Sequence, residues 1–264
     1  MKIALTIASS DSGGGAGIQA DLKTFHQFGV FGTSAIVAIT AQNTRGVSDV
    51  HTVPGAMVTA QLAALAADLP PAAVKTGMLA TAELVERVAD GIATHAFPNY
   101  VCDPVMVATS GDRLLDRNAE QTIRTRLLPL AAVVTPNLDE ASMLVGTAIT
   151  SVTQMEEAGR ALLGMGAGAA LVKGGHMEGA ELVDVLVTAD GTTRFTHDRI
   201  ATTSTHGTGC TLSAAIAAGL ALGAQRERAV ADALDYVHRA IASAPGLGSG
   251  HGPLNHCVSP QRED

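Results

Sequence analysis

Short runs of small aliphatic and β-branched residues recur along this 264-residue chain, at 2–8, 34–40, 73–75, 99–102, 131–134 and 169–172. Helical patterns lie between them, over about 17–28, 55–68, 82–95 and 152–165. A continuously apolar run too short for a helix reads as a strand buried on both faces, and helices between such strands serve as crossovers between parallel neighbours. The composition supports this, because hydrophobic residues reach 47% while charged residues fall to 16% and aromatics to 3%. An average soluble domain carries about 25% charge, so this core must be aliphatic and hidden on both sides of a sheet. The expectation is an α/β chain with residues 1–264 in one domain. Runs at 182–187 and 192–195 read as a hairpin across Ala189-Asp190-Gly191, and a last helix over about 226–242 gives way to a flexible tail, Gly246 to Pro253.

The net charge of −8 argues against nucleic-acid binding, which needs clustered Lys and Arg to neutralise phosphates. Cys102, Cys210 and Cys257 are an odd, scattered set that resembles no disulfide framework and fits a reducing compartment. The opening Met1-Lys2-Ile3-Ala4-Leu5-Thr6-Ile7-Ala8 is too short an apolar run for a signal peptide, and no later run has membrane-spanning length. A cytoplasmic protein with no membrane partner is expected.

The most chemically loaded stretch is Thr203-Ser204-Thr205-His206-Gly207-Thr208-Gly209-Cys210, which runs directly into the small-apolar helical pattern 211–220. Glycines let successive N–H groups converge, and the new helix aims its free N–H groups and dipole at the same point, which makes a pocket for an anion such as phosphate. Cys210 falls in the first turn, where the dipole is expected to lower a thiol's pKa; the alternative is a small buried cysteine. Gly15-Ala16-Gly17-Ile18-Gln19-Ala20 matches the dinucleotide fingerprint, so a nicotinamide-dependent dehydrogenase has to be weighed. Its acidic ribose partner is missing, since no Asp or Glu occurs between Asp21 and Asp49. The P-loop pattern, the protein-kinase catalytic loop and the serine-hydrolase elbow are all missing too.

Residues at the C-terminal ends of the expected strands carry most weight, because ligands of open α/β sheets bind there. Gln42 and Asn43 follow the second run; a carboxamide there either pairs with a heterocycle or is ordinary loop polarity. Asp21, one turn into the first helix, is a solvated acid or a carboxylate turned toward a ligand. Lys75-Thr76-Gly77-Met78 and Asp103-Pro104-Val105-Met106 close two further runs, the second leading to Ala108-Thr109-Ser110-Gly111-Asp112. Asp103 is held extended by Pro104, which suits a plain turn or a carboxylate aimed at a metal-bound phosphate. Asn137 and Glu140 have capping-box spacing, and Glu140 alternatively holds Mg²⁺ through water. Lys173, before Gly174-Gly175-His176, is a surface charge or a phosphate contact. His251, His256 and Cys257 match no zinc spacing.

Taken together, Leu5 to Ala8, Gly17 to Phe25, Ala41-Gln42-Asn43-Thr44-Arg45-Gly46-Val47, Lys75 to Leu79, Asp103 to Met106, Thr135-Pro136-Asn137-Leu138, Val172 to His176 and Thr205 to Thr211 resemble the hydroxymethylpyrimidine/phosphomethylpyrimidine kinases of thiamine biosynthesis, within the ribokinase-like superfamily. The likeness runs in order over nearly the whole chain. It implies a three-layer α/β/α fold, with ATP and Mg²⁺ as cofactors, and transfer of phosphoryl to a hydroxymethylpyrimidine and then to its monophosphate. It further implies Gln42 on the pyrimidine with Asp21, Met78 and Val105 around it. Gly207, Thr208 and Gly209 would form the anion hole, Cys210 would be the base, Lys173 would lie along the phosphates, and Asp103 and Glu140 would hold Mg²⁺. Small molecules are then the partners, whether or not the chain is a homo-oligomer. The first loop departs from the family pattern, since Asp11-Ser12-Gly13-Gly14-Gly15 carries an extra glycine that is expected to loosen it. The nearest rival is a pyridoxal or pyridoxine kinase of the same superfamily, with Gln42 as the discriminating residue.

Overall fold

The computed structural model describes residues 1–106, 117–175 and 181–260; the loop 108–112 and His176 singled out above lie outside the described residues. Strand β1 (Ile3–Asp11) leads through α1 (Gly17–Gln27) to β2 (Phe31–Asn43) and β3 (Gly46–Thr52). Helix α2 (Gly55–Asp68), β4 (Ala73–Thr76), α3 (Ala82–Thr94) and β5 (Tyr100–Cys102) follow. Helix α4 (Arg117–Thr122) continues through a π turn and a 3-10 turn to β6 (Val133–Val134), then α5 (Leu138–Val145), α6 (Val152–Gly164) and β7 (Ala169–Val172). A hairpin of β8 (Glu181–Thr188) and β9 (Gly191–Asp198) precedes α7 (Thr208–Ala221) and α8 (Arg226–Ala242).

The strands form one sheet in the order β3-β2-β1-β4-β5-β6-β7-β8-β9, parallel from β2 to β7, with β3, β8 and β9 antiparallel at the edges. Alternation along each buried strand feeds two separate cores. Leu5, Ile7, Val74 and Val134 pack beneath α2, α3, α5 and α6, whereas Ala4, Ala73, Val101 and Val133 pack beneath α1, α7 and α8. Three layers result, as the resemblance implied. Helix α7 sits close to the sheet because its inner positions are small: Ala214, Ala215, Ala217 and Ala218 have no exposed surface.

The connections on either side of β1 lie on opposite faces, α1 toward β2 and α2 toward β4. Their loops therefore diverge and open a crevice at the carboxyl ends of β1 and β4, the switch point where such sheets bind ligands.

Two expectations change. Strand β2 does not stop at Thr40 but runs on through Gln42 and Asn43, because β3 pairs with it. Strand β3 gives little apolar pattern to read, since it is an edge strand with most residues exposed. The segment after α8 is not a flexible tail: the His206 N–H donates to Gly252 O at 3.1 Å, Asn255 N–H to Ala240 O at 3.0 Å, and Leu254 is buried. Among the described residues no helix is long and apolar enough to cross a membrane.

Candidate active site

The N-terminus of α7 faces the crevice. Gly207 caps it with φ of 81°, a left-handed conformation that side chains resist, and a Cβ there would run into the carbonyl oxygen of Gly15. The two glycine loops thus meet backbone to backbone. Thr208 N–H and Oγ1 both turn back to Thr205 O, at 3.3 and 2.7 Å, and Thr211 N–H takes Gly207 O at 2.8 Å. The N–H groups of Gly209 and Cys210 find no backbone acceptor among the described residues, which is the arrangement an anion site needs.

Asp11 organises the first loop. Its carboxylate accepts from the N–H groups of Gly13 at 2.8 Å, Gly15 at 3.0 Å and Ala16 at 2.8 Å, and lies 2.9 Å from His206 Nε2. Burial opposes its charge, yet the hydrogen bonds from His206, Ala16 and Gly13 hold the carboxyl below the usual carboxylate range. Lys23 Nζ donates to Gly14 O at 2.7 Å. The extra glycine therefore does not leave the loop loose.

Lys173, Asp103 and Glu140 gather on the other side of Gly209. A Cβ on Gly209 would lie 3.3 Å from Lys173 Nζ and 3.7 Å from Asp103 Oδ2, and Lys173 Nζ is 3.6 Å from Asp103 Oδ1. Ser213 Oγ donates to Asp103 Oδ2 at 3.2 Å from one turn further along α7. Glu140 does complete the capping box: its Oε2 accepts Asn137 N–H at 2.8 Å while Asn137 Oδ1 accepts Glu140 N–H at 2.9 Å. Burial pushes Glu140 up to about 7; Lys173 pulls it down and Asp103 pushes it further up. Lys173 is itself held above its ordinary range, since Asp103, Glu140 and Cys210 together outweigh the cost of burying it.

Cys210 is half-buried. The expected lowering of its pKa is reversed. Burial pushes the thiol up to about 11, Lys75 only partly offsets this, and the charges of Asp21 and Asp103 add to the rise. The dipole of one helix end is too small to overcome desolvation beside two carboxylates.

Asp21 is neither solvated nor open to the crevice. Both of its oxygens lie 2.9 Å from Lys75 Nζ, Thr6 Oγ1 donates to Oδ2 at 2.6 Å, and neither Asp21 nor Lys75 has exposed surface. Gln42 is half-buried where β2 passes the first loop; its backbone N–H donates to Ser12 Oγ at 2.8 Å and its carbonyl accepts from that hydroxyl at 2.7 Å. Met78 and Val105, both half-buried, stand at the ends of β4 and β5, where Met78 O accepts from Ser9 Oγ at 3.0 Å.

The phosphomethylpyrimidine kinase family model matches residues 11–255, a span that holds the site residues from Asp11 to Cys210. The chain belongs to that family. A hydroxymethylpyrimidine/phosphomethylpyrimidine kinase from Rhizobium meliloti is 52% identical over 257 residues, covering 96% of each chain. Among solved structures, an ADP complex of Bacillus subtilis pyridoxal kinase superposes with a TM-score of 0.91 at 39% identity, over 97% of each chain. A phosphomethylpyrimidine kinase from Clostridium difficile superposes with a TM-score of 0.83 at 40% identity, over 91% of this chain and all of the other. The protein is a kinase of the ribokinase-like α/β fold.

For a phosphomethylpyrimidine kinase the donor set suits a hard divalent cation. Asp103 and Glu140 are two buried carboxylates, and the cost of burying Glu140 is only partly offset by Lys173; magnesium commonly takes one or two carboxylates plus phosphate oxygens. Among the described residues no cluster of three His, Cys, Asp or Glu side chains forms a complete cage, so a cation held here would need its remaining ligands from phosphate and water. Sequence reasoning gave no role to Asp11, His206 or Lys75. Lys75 had a readable signal, a lone charge inside the apolar run Ala73-Val74-Lys75-Thr76, which only a buried counter-ion explains.

Proposed function

We propose that the protein transfers the γ-phosphoryl group of ATP to the hydroxymethyl group of 4-amino-5-hydroxymethyl-2-methylpyrimidine, and then to the resulting monophosphate, giving the diphosphate used in thiamine biosynthesis. The observation that carries this reading is the meeting of Gly209 with Lys173 and Asp103 at the open N-terminus of α7. Phosphoryl transfer asks mainly for positioning and for charge stabilisation, and a helix N-terminus beside a lysine supplies both. The free N–H groups of Gly209 and Cys210 hold the moving phosphoryl in a turn that Gly207 and Thr208 shape, the expected donors of Thr208 being taken by Thr205 O; Lys173 neutralises phosphate oxygens, and Asp103 and Glu140 would hold Mg²⁺, whose role is to offset charge on the phosphates. Gln42 binds the aminopyrimidine edge, with Met78 and Val105 against the ring. Asp21 acts from behind the pocket, as the counter-ion of Lys75.

Cys210 takes the substrate proton late. A thiol at about 11 is almost wholly protonated near neutrality, so it must first give up its own proton to water, and only the resulting minor thiolate fraction accepts the hydroxyl proton, as the substrate oxygen loses electron density to phosphorus. A loose transition state makes little demand on an early base. We place the reaction in the cytoplasm, where ATP and unpaired cysteines are both expected.

The similarity to a pyridoxal kinase supports a second reading, phosphorylation of pyridoxal. The test is ADP release with hydroxymethylpyrimidine, its monophosphate and pyridoxal in parallel. Turnover with both pyrimidines is expected; turnover with pyridoxal alone would reverse the assignment.

A further inference from the structure

His206 lies between the two halves of this site, and its hydrogen bonds balance in only one orientation of the Gln42 carboxamide. Its Nε2 is 2.9 Å from Asp11 Oδ2 and 3.4 Å from Gln42 Nε2, while Gln42 Oε1 is 3.1 Å from Thr40 Oγ1. An ionised carboxylate only accepts, so His206 Nε2 must carry the proton. It then faces Gln42 Nε2 donor against donor. Thr40 has one hydroxyl proton, and the carbonyl of Ser10, 2.7 Å away, can only accept it. Thr40 Oγ1 therefore offers Gln42 a lone pair, and Oε1 sets acceptor against acceptor. A half-turn of the Gln42 carboxamide about its last bond mends both contacts at once, since amide oxygen and nitrogen exchange places with no change of shape. Oε1 then takes the longer branch of the one Nε2–H that His206 shares between Asp11 and Gln42, and Nε2 donates to Thr40.

We propose that His206 is a positioning residue for substrate recognition: through its Nε2–H, anchored on Asp11, it fixes the orientation of the Gln42 carboxamide. One Nε2 hydrogen and one Oε1 lone pair remain for a ligand. That adjacent donor and acceptor complement a ring nitrogen beside an exocyclic amine, the edge of an aminopyrimidine, and do so in one orientation only. Because His206 immediately precedes Gly207, the same imidazole ties recognition of the ring to the loop that holds the phosphoryl group. The inference rests on Gln42 contacting the pyrimidine, as set out above.

The test is a double-mutant cycle of Gln42→Ala, His206→Ala and the pair, with KM measured for hydroxymethylpyrimidine and for ATP. His206→Ala is expected to raise the pyrimidine KM about tenfold, the size of one buried hydrogen bond, with the ATP KM changed less than about twofold. The pair is expected to be no worse than Gln42→Ala alone. Additive losses, or equal losses for both substrates, would reduce His206 to a structural role and overturn the inference. An unchanged pyrimidine KM in Gln42→Ala would instead remove the Gln42 contact itself, and the inference with it. Imidazole ¹⁵N shifts of the wild-type protein, which need no variant to fold, are expected to show a protonated Nε2; an unprotonated Nε2 overturns the inference independently.

Discussion

Replacing Asp21 with alanine separates a buried counter-ion from a substrate ligand. Lys75 and Asp21 have no exposed surface, and the ammonium sits 2.9 Å from both carboxylate oxygens. Burial alone would drive the Lys75 pKa down; Asp21, joined by Cys210 and Asp103, more than offsets that and holds it above its ordinary range. Asp21→Ala strands the ammonium, and breaking a buried pair from one side costs about 3–5 kcal/mol. For a chain of this size that is a fall in Tm of about 10 °C. The sign with pH follows. With Asp21 gone the folded pKa of Lys75 drops below its unfolded value, so the unfolded state binds the extra proton and stability recovers as pH rises toward 10. The assay is urea unfolding at pH 7 and pH 9 for Asp21→Ala, Lys75→Met and the pair. The single Asp21 variant should be the least stable at pH 7 and improve at pH 9, and the pair should regain most of the loss. A loss below about 1 kcal/mol, as an exposed pair would give, refutes the reasoning.

Further outcomes follow from the same geometry. Cys210→Ala should lower kcat by about 10²–10⁴ while leaving the ATP KM nearly unchanged, the signature of a lost proton acceptor in steady-state kinetics; full activity would remove the thiol from the mechanism. Gly207→Ala should cost about 100-fold or more in kcat, because the Cβ meets Gly15 O and the anion loop must shift. His256, whose Nε2 meets Thr211 Oγ1 at 3.0 Å, is held neutral, its pKa lowered from 6.5 to about 4 chiefly by burial, with Lys23 adding to the effect. Below pH 6.5 the unfolded chain takes a proton that the native imidazole refuses until about pH 4. Relative to His256→Asn, the wild type should therefore lose about 3 kcal/mol between those pH values, at ~1.36 kcal/mol per pH unit, as read by denaturant midpoints.

What the sequence made legible was whatever depends on local pattern. Apolar runs at 73–75 and 169–172 became β4 and β7 because a strand buried on both faces leaves no other reading. The Asn137 and Glu140 spacing gave its capping box directly. Edge strand β3 was hidden because exposed positions carry no apolar period, and the ordered segment around Leu254 because its partners lie on α7, α8 and the anion loop. The site divides the same way. Gly207 to Cys210 announced a glycine turn opening a helix with free N–H groups through local chain geometry, whereas the pairing of Asp21 with Lys75 and of His206 with Asp11 spans 54 and 195 residues and appears only after folding. The Cys210 expectation failed for a related reason: a dipole is local and readable, but desolvation is set by the whole surroundings.

The central claim is that one site built around α7 phosphorylates a hydroxymethylpyrimidine twice. It is tested most directly by following ³¹P NMR during a reaction of the purified protein with ATP, magnesium and hydroxymethylpyrimidine. A monophosphate resonance should appear first and then give way to the paired resonances of a diphosphate, with two ATP consumed for each pyrimidine. ATP loss with no phosphorus appearing on the pyrimidine would contradict the account.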